Sequence, residues 1–113
     1  MEAELAVVSL AALAHPSRLE AFRILVRRGE EGITAGDLAT RLGVAPPTLS
    51  FHLQQLRHAG LVRSQRRSRE VVYSANYAAA GELVRYLTES CCVEGTCAPR
   101  RSTTAARTKE KTS

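Results

Sequence analysis

TAGDLATRLGVAPPTLSFHLQQLRHAGL, residues 34–61, is the stretch of sequence that decides the fold. A helix is predicted to begin after Thr34, whose hydroxyl can cap it, and to end at Gly43. Leu38 and Leu42 lie one helical turn apart inside this segment and predict its buried side.

The second half of the stretch predicts another helix. It begins with Pro46 and Pro47, because proline is tolerated in the first turn of a helix, and it ends at Gly60. Its apolar stripe consists of leucines at three- and four-residue steps: Leu49, Leu53 and Leu56. Two helices joined by a three-residue turn predict a helix-turn-helix.

The flanking segments complete the predicted fold. Apolar spacing predicts further helices over residues 2–14, 16–28 and 78–90. Residues 61–75 are rich in strand-forming side chains, and the polar run 65–69 predicts the tip of a β-hairpin. The predicted fold class is therefore mainly α with a small β-hairpin wing, a winged helix-turn-helix.

The domain organisation is predicted to be one domain and a tail. The length of 113 residues suits a single domain, predicted here over residues 1–97. Residues 98–113 are mostly Ser, Thr, Arg and Lys, which cannot build a core, and we predict a disordered basic tail. A domain this small buries little surface, which favours dimerisation.

The distribution of charge points to nucleic acid as a partner. The net charge is +5, and residues 38–69 contain six arginines and no acidic residue. No stretch approaches the roughly 20 apolar residues that cross a bilayer. Glu2 and Glu4 stand where a signal peptide would carry positive charge. The sequence predicts a cytoplasmic protein, in a compartment where thiols stay reduced.

A helical wheel of residues 47–58, with the leucine stripe inward, predicts a DNA-reading surface without acidic residues. Phe51 either contacts a thymine methyl or packs under the wing, and His52 lies towards the core, where packing and base contact both remain open. Arginines of the hairpin tip, 66, 67 and 69, are expected to bind phosphates or to probe the minor groove. The predicted DNA-binding residues are Thr48, Ser50, Phe51, His52, Gln54, Gln55, Arg67 and Arg69.

All three cysteines lie within seven residues, at Cys91, Cys92 and Cys97, and are predicted to bind one soft ion. Three thiolates suit trivalent arsenic or antimony, whose lone pair excludes a fourth ligand. Structural zinc takes four ligands, so Glu94 or a partner-chain group would have to complete such a site. Adjacent helical residues point about 100° apart, so the helix should break near Ser90.

Several motifs together resemble the ArsR/SmtB family of metal-responsive repressors. They are residues 12–19 (ALAHPSRL), 37–39 (DLA), 49–56 (LSFHLQQL), 59–62 (AGLV) and 72–73 (VY). The resemblance implies a winged-helix homodimer formed through its first and last helices, bound to operator DNA when free of ligand. The well-known arsenic repressors carry cysteines where this chain has Thr34 and Gly36, whereas its three cysteines resemble those of members with a C-terminal site.

The sequence thus predicts an arsenic(III)-responsive repressor, released from DNA when three thiolates bind the inducer. Alternatives within regulation are selectivity for methylarsenite or antimonite, and redox sensing by the cysteines. A thiol enzyme would need a Cys-x-x-Cys motif or a positioned base, and neither is visible. A metal-buffering module would leave the arginine-rich stretch unexplained. Whether the cysteine site lies within one subunit or between two remains open.

Overall fold

The computed structural model describes residues 1–96, so Cys97 and the predicted tail lie outside the described residues. Within them the chain forms a winged helix-turn-helix, which confirms the predicted fold class. The elements are α1 (Ala3–Leu13), α2 (Pro16–Arg28), β1 (Ile33–Thr34), α3 (Ala35–Leu42), α4 (Pro46–His58), β2 (Val62–Arg67), β3 (Glu70–Ala75) and α5 (Tyr77–Thr88). A short 3-10 turn, Gly29–Glu31, follows α2.

The helix-turn-helix unit forms as its sequence predicts. The hydroxyl of Thr34 accepts a hydrogen bond of 3.1 Å from the amide of Asp37 and caps α3. Gly43 ends that helix in the left-handed conformation, and α4 begins three residues later at Pro46. The leucine stripe of α4 is completely buried, which fixes the opposite side of the helix towards solvent.

The wing belongs to an antiparallel sheet with the strand order β1-β3-β2. Strands β2 and β3 pair from Val62 opposite Ala75 to Arg67 opposite Glu70, so the hairpin turn is only Ser68 and Arg69. The predicted tip, residues 65–69, was too long, because Gln65, Arg66 and Arg67 extend the strand ladder. Strand β1 was not predicted, and it exists through its pairing with β3.

The core lies between α2, α3, α4 and the base of the wing. Its largest fully buried side chains are leucines at positions 25, 38, 49, 53, 56 and 61. Burying a side chain of this size stabilises the fold by about 1.5–3 kcal/mol. This core holds α4 firmly and leaves the two terminal helices to pack at its edge.

Helices α1 and α5 keep much of their apolar surface exposed. Of the predicted α1 stripe, Ala12 is buried while Leu5 and Val8 are half or more exposed. In α5, Leu83 is buried, but Val84 and Leu87 are 61% and 57% exposed. One protomer therefore leaves an apolar surface on the first and last helices, which we call the α1–α5 face. Within the described residues no helix is long and apolar enough to cross a membrane.

The last helix ends where the cysteines begin. Helix α5 stops at Thr88, Glu89 is extended, and Ser90 takes a positive φ of 63°. The predicted break near Ser90 is therefore confirmed. The helix ends two residues before the predicted end, residue 90. The chain continues through turns rather than helix, so adjacent cysteines are released from helical geometry.

Candidate nucleic-acid interface and thiol site

Helix α4 presents a polar, acid-free surface to solvent. Its first residue is Pro46, and the preceding Ala45 is extended, so the helix starts abruptly from the turn. Predicted DNA-binding residues with exposed side chains on this helix are Thr48, Ser50, Phe51 and Gln54, and Gln55 is half-buried at the edge. Small hydroxyls near the start of the helix and amides further along suit base edges in a major groove.

Phe51 lies on this surface rather than beneath the wing. Its side chain is 57% exposed, and its ring centroid is 6.0 Å from that of His52. The alternative prediction, that Phe51 packs under the wing, would require a buried ring and is therefore wrong. An exposed aromatic among polar side chains is available for apolar contact with a thymine methyl.

His52 faces the core, as the helical wheel predicts. It is 6% exposed, and its ring packs 4.5 Å from that of His15, centroid to centroid. Within the described residues neither His52 Nδ1 nor Arg18 Nε, both buried, has a hydrogen-bond partner. Burial, followed by the nearby charges of His15 and Arg18, lowers the pKa of His52. The structure thus places His52 in packing, away from the exposed α4 surface.

The wing carries exposed arginines on one polar hairpin. Arg66, Arg67 and Arg69 are all exposed, and a guanidinium nitrogen of Arg67 donates to the Gln65 side chain at 3.4 Å. Ser68 takes a positive φ of 55° in the two-residue turn, which places Arg69 at the very tip. Arginines held on a projecting hairpin can reach phosphates that flank the groove occupied by a helix.

The structure brings together two of the three predicted thiol ligands. The sulfur atoms of Cys91 and Cys92 lie 3.2 Å apart, with Cys91 exposed and Cys92 half-buried. Cys92 takes a positive φ of 63°, and the Cys91 amide donates to the Thr88 carbonyl at 3.1 Å. Within residues 1–96 no cluster of three or more His, Cys, Asp or Glu side chains could hold a metal ion. Cys97 lies outside the described residues.

Two residues at the start of α5 were missed by the sequence analysis. Asn76 caps α5 and also donates to the carbonyl of Gly60, and Tyr77 donates to the carbonyl of Val26 at 2.7 Å. An asparagine immediately before a helix is a known N-cap signal and could have been noticed. The bonds to Gly60 and Val26 cross long sequence separations, and no local pattern indicates them.

Comparison with known proteins identifies regulators of transcription. A helix-turn-helix domain matches residues 13–65. The chain is 33% identical over 90 residues to the HTH-type transcriptional regulator YgaV of Escherichia coli, covering 80% of this chain and 89% of that protein. It is 34% identical over 85 residues to the biofilm growth-associated repressor of Xylella fastidiosa, covering 75% and 72% of the two chains.

A solved structure agrees with this relationship. An ArsR-like transcriptional regulator from Rhodococcus matches with a TM-score of 0.65 at 33% identity, covering 74% of this chain and 76% of that one. The match thus extends over about three quarters of both chains.

Proposed function

This chain belongs to the ArsR family of DNA-binding transcription regulators, which are not enzymes, and from its own cysteines we propose that it is an arsenic(III)-responsive repressor. It binds operator DNA as a homodimer in its ligand-free state. Trivalent arsenic, or antimony, binds the thiolates of Cys91, Cys92 and Cys97 and lowers the affinity for the operator. The observation that carries the proposal is the close approach of the adjacent sulfur atoms.

The sulfur atoms of Cys91 and Cys92 are close enough to bind one ion. They lie 3.2 Å apart, in a contact where either thiol can donate to the other. The choice of arsenic or antimony over zinc rests on the ligand set. Residues 91–97 offer three thiols and no histidine, which suits a three-coordinate ion, whereas structural zinc takes four ligands.

The chemistry of binding is an exchange of ligands. Three thiols react with arsenous acid, three arsenic–oxygen bonds break, three arsenic–sulfur bonds form, and three water molecules leave. No oxidant or reductant is required. Cys97 follows Cys92 after four residues that include Gly95, which makes a return within one subunit easy. A site completed by the partner's Cys97 would satisfy the same chemistry.

The DNA side of the proposal uses the exposed surface of α4 and the arginines of the wing. The hydroxyls, Phe51 and the amides read base edges, and Arg67 and Arg69 bind phosphates. The α1–α5 face joins two protomers, so that two α4 helices enter successive major grooves of an operator. Reduced thiols are required for the response, which suits the cytoplasm.

The route from ligand to operator begins at the end of α5. Gathering the thiolates around one ion rearranges the turns after Thr88, beside the proposed dimer interface, and changes the spacing of the two α4 helices. Coupling free energies between sites are typically about 1–3 kcal/mol, which corresponds to a roughly 5- to 150-fold loss of operator affinity.

The test is operator binding measured by fluorescence anisotropy with fully reduced thiols. Arsenite is expected to release wild-type protein from the operator. Cys97→Ser should lose the response to arsenite and retain the response to methylarsenite, which needs only two thiolates. Equal loss of both responses in Cys97→Ser would mean that Cys97 has a structural role. If arsenite fails to release the reduced wild-type protein from the operator, the proposal is overturned.

A redox sensor is the second candidate, favoured by the same 3.2 Å separation of the two sulfurs. Peroxide would oxidise Cys91 and Cys92 to a disulfide and be reduced to water. Disulfides between adjacent residues are strained, which ranks this candidate second. Release of the operator by hydrogen peroxide without any metalloid, reversed by dithiothreitol, would promote it.

A further inference from the structure

The side chain of Asn76 joins two helices at once. Its Oδ1 accepts a hydrogen bond from the amide of Ala79 at 3.2 Å and caps α5. Its Nδ2 donates to the carbonyl of Gly60 at 2.9 Å, sixteen residues earlier in the chain. Since the cap needs only an acceptor, the amide nitrogen is available for this second contact.

The carbonyl that Asn76 reaches belongs to the turn that ends α4. The amide of Gly60 donates to Arg57 at 2.9 Å, and the amide of Leu61 donates back to Leu56 at 3.0 Å. Gly60 adopts a φ of +80°, as this type of helix ending requires. The backbone amide of Asn76 also donates to the carbonyl of Leu61 at 2.8 Å. Asn76 therefore holds both carbonyls of the turn.

The rest of α5 is held less tightly on its own protomer. Leu83 is the single buried residue between Tyr77 and Thr88, all of which the structure describes. At the same end as Asn76, the Tyr77 hydroxyl binds the end of α2 through the carbonyl of Val26. Helix α5 is thus anchored at its start and carries the thiols beyond its other end.

We propose that Asn76 is a positioning residue that couples α5 to the DNA-reading helix α4. A displacement of α5 moves its capping residue, and the bond from Nδ2 to Gly60 transmits that displacement to the end of α4. The same link works in reverse, so operator DNA on α4 alters the surroundings of Cys91 and Cys92. The inference rests on the proposed function for its DNA-binding surface and its thiol site, but not on the identity of the inducer.

The test removes the link and keeps the cap. Asn76→Asp retains an oxygen that accepts from Ala79, while a carboxylate cannot donate to Gly60. Asn76→Ser also caps α5 and is too short to reach that carbonyl. Tyr77→Phe is the matched control, because it removes the hydroxyl that donates to the carbonyls of Leu25 and Val26 at the same end of α5 and leaves Asn76 intact. Thermal melting of each variant verifies that it is folded.

The readout is the rate at which iodoacetamide alkylates the thiols, with and without saturating operator DNA. In wild type and Tyr77→Phe we expect the operator to change this rate roughly 5-fold, at the lower end of ordinary coupling between sites. In Asn76→Asp and Asn76→Ser the change should be clearly smaller than in Tyr77→Phe, because only the backbone bond from Asn76 to Leu61 then joins α5 to this turn.

Each other result is decisive. The inference is overturned if the alkylation rate of wild type does not change when the operator is added. It is also overturned if the change in either Asn76 variant is as large as in wild type. Loss of the dependence in Tyr77→Phe as well would mean that general loosening of α5, and not the Asn76 link, is responsible. If arsenite fails to release wild-type protein while the alkylation rates behave as expected, the proposed inducer is wrong and the role of Asn76 stands.

Discussion

The imidazole rings of His15 and His52 lie 4.5 Å apart, centroid to centroid, and connect the start of α2 to the middle of α4. His15 accepts a hydrogen bond from the amide of Ser17 at 3.1 Å and so caps α2 through Nδ1. Arg18, on the same helix, adds a positive charge near His52. Helix α4 is therefore packed on a cluster of basic side chains that disfavours protonation of His52.

This cluster predicts that the protein loses stability in mild acid. Because burial first, and the charges of His15 and Arg18 next, lower the pKa of His52, the unfolded chain binds a proton there more readily. The His52 contribution to the free energy of unfolding is complete above about pH 6.5, the ordinary value of histidine. It decreases as the pH falls below that value, until His52 is protonated in the folded state as well.

Urea unfolding measured between about pH 8 and pH 5 checks this prediction. The free energy of unfolding should fall less over this range in His52→Gln than in wild type. The matched control is His58→Gln, since His58 is exposed on the same helix. An unchanged pH dependence in His52→Gln would contradict the assignment.

A second prediction concerns the two glycines that bracket the 3-10 turn. Gly29 and Gly32 share nearly the same backbone angles, with φ of 78° and 73° and ψ of −166° and −160°. Other residues pay about 1–3 kcal/mol in such a conformation. At Gly32 alone, an added Cβ would also collide with the Tyr73 carbonyl oxygen and lie 2.9 Å from a methyl of Val72.

Gly32→Ala is therefore expected to destabilise the protein by at least about 1 kcal/mol more than Gly29→Ala, whose Cβ would meet open space. Chemical unfolding of the two variants measures the difference. Equal losses would mean that β1 and β3 separate easily and that the sheet does not hold the wing in place.

The fold could be predicted from sequence wherever the signal is local. Proline and glycine mark the ends of α4, and its leucine stripe sets which side faces solvent. Strand β1 was missed because two residues cannot show an alternating pattern, and Ile33 becomes a strand only by pairing with Tyr73. The two-residue hairpin turn was missed for a related reason, since polar Gln65 and its neighbours look like a loop until they pair with β3.

The candidate site was predictable in part for the same physical reason. A helical wheel orients His52 and Gln54 correctly, because that geometry is repeated along every helix. It left Phe51 open between an exposed position and a place beneath the wing, since the path of the hairpin is set by tertiary packing. The break before the cysteines was predicted because two adjacent thiols on a helix point too far apart to bind one ion. The role of Asn76 could not be predicted, because its hydrogen bonds join segments that are distant in sequence.

A third prediction addresses the proposed dimer. Val84 is 61% exposed on α5, on the α1–α5 face, and a carboxylate buried there without a partner costs several kcal/mol, as an order of magnitude. Val84→Glu should therefore shift the protein to monomers in sedimentation equilibrium and weaken operator binding. Leu19→Glu is the control, because Leu19 is also exposed, at 47%, but lies on α2. A Val84→Glu protein that remains dimeric would place the interface elsewhere.

The last prediction separates the two parts of the DNA-binding surface. Gln54 lies on the exposed side of α4, where an amide can pair with adenine, and each such pair contributes about 1–3 kcal/mol of discrimination. Gln54→Ala should thus weaken binding to the preferred operator roughly 5- to 150-fold and relax selectivity at one base pair.

Arg67→Ala should instead weaken binding to all DNA sequences alike and reduce the salt dependence of binding by about one phosphate contact. Arg23→Ala serves as control, because Arg23 is an exposed arginine of α2 outside the acid-free stretch. Anisotropy titrations on operator variants at several salt concentrations distinguish these patterns, and a salt-dependent, sequence-independent loss in Gln54→Ala would mean that α4 binds the backbone and does not read bases.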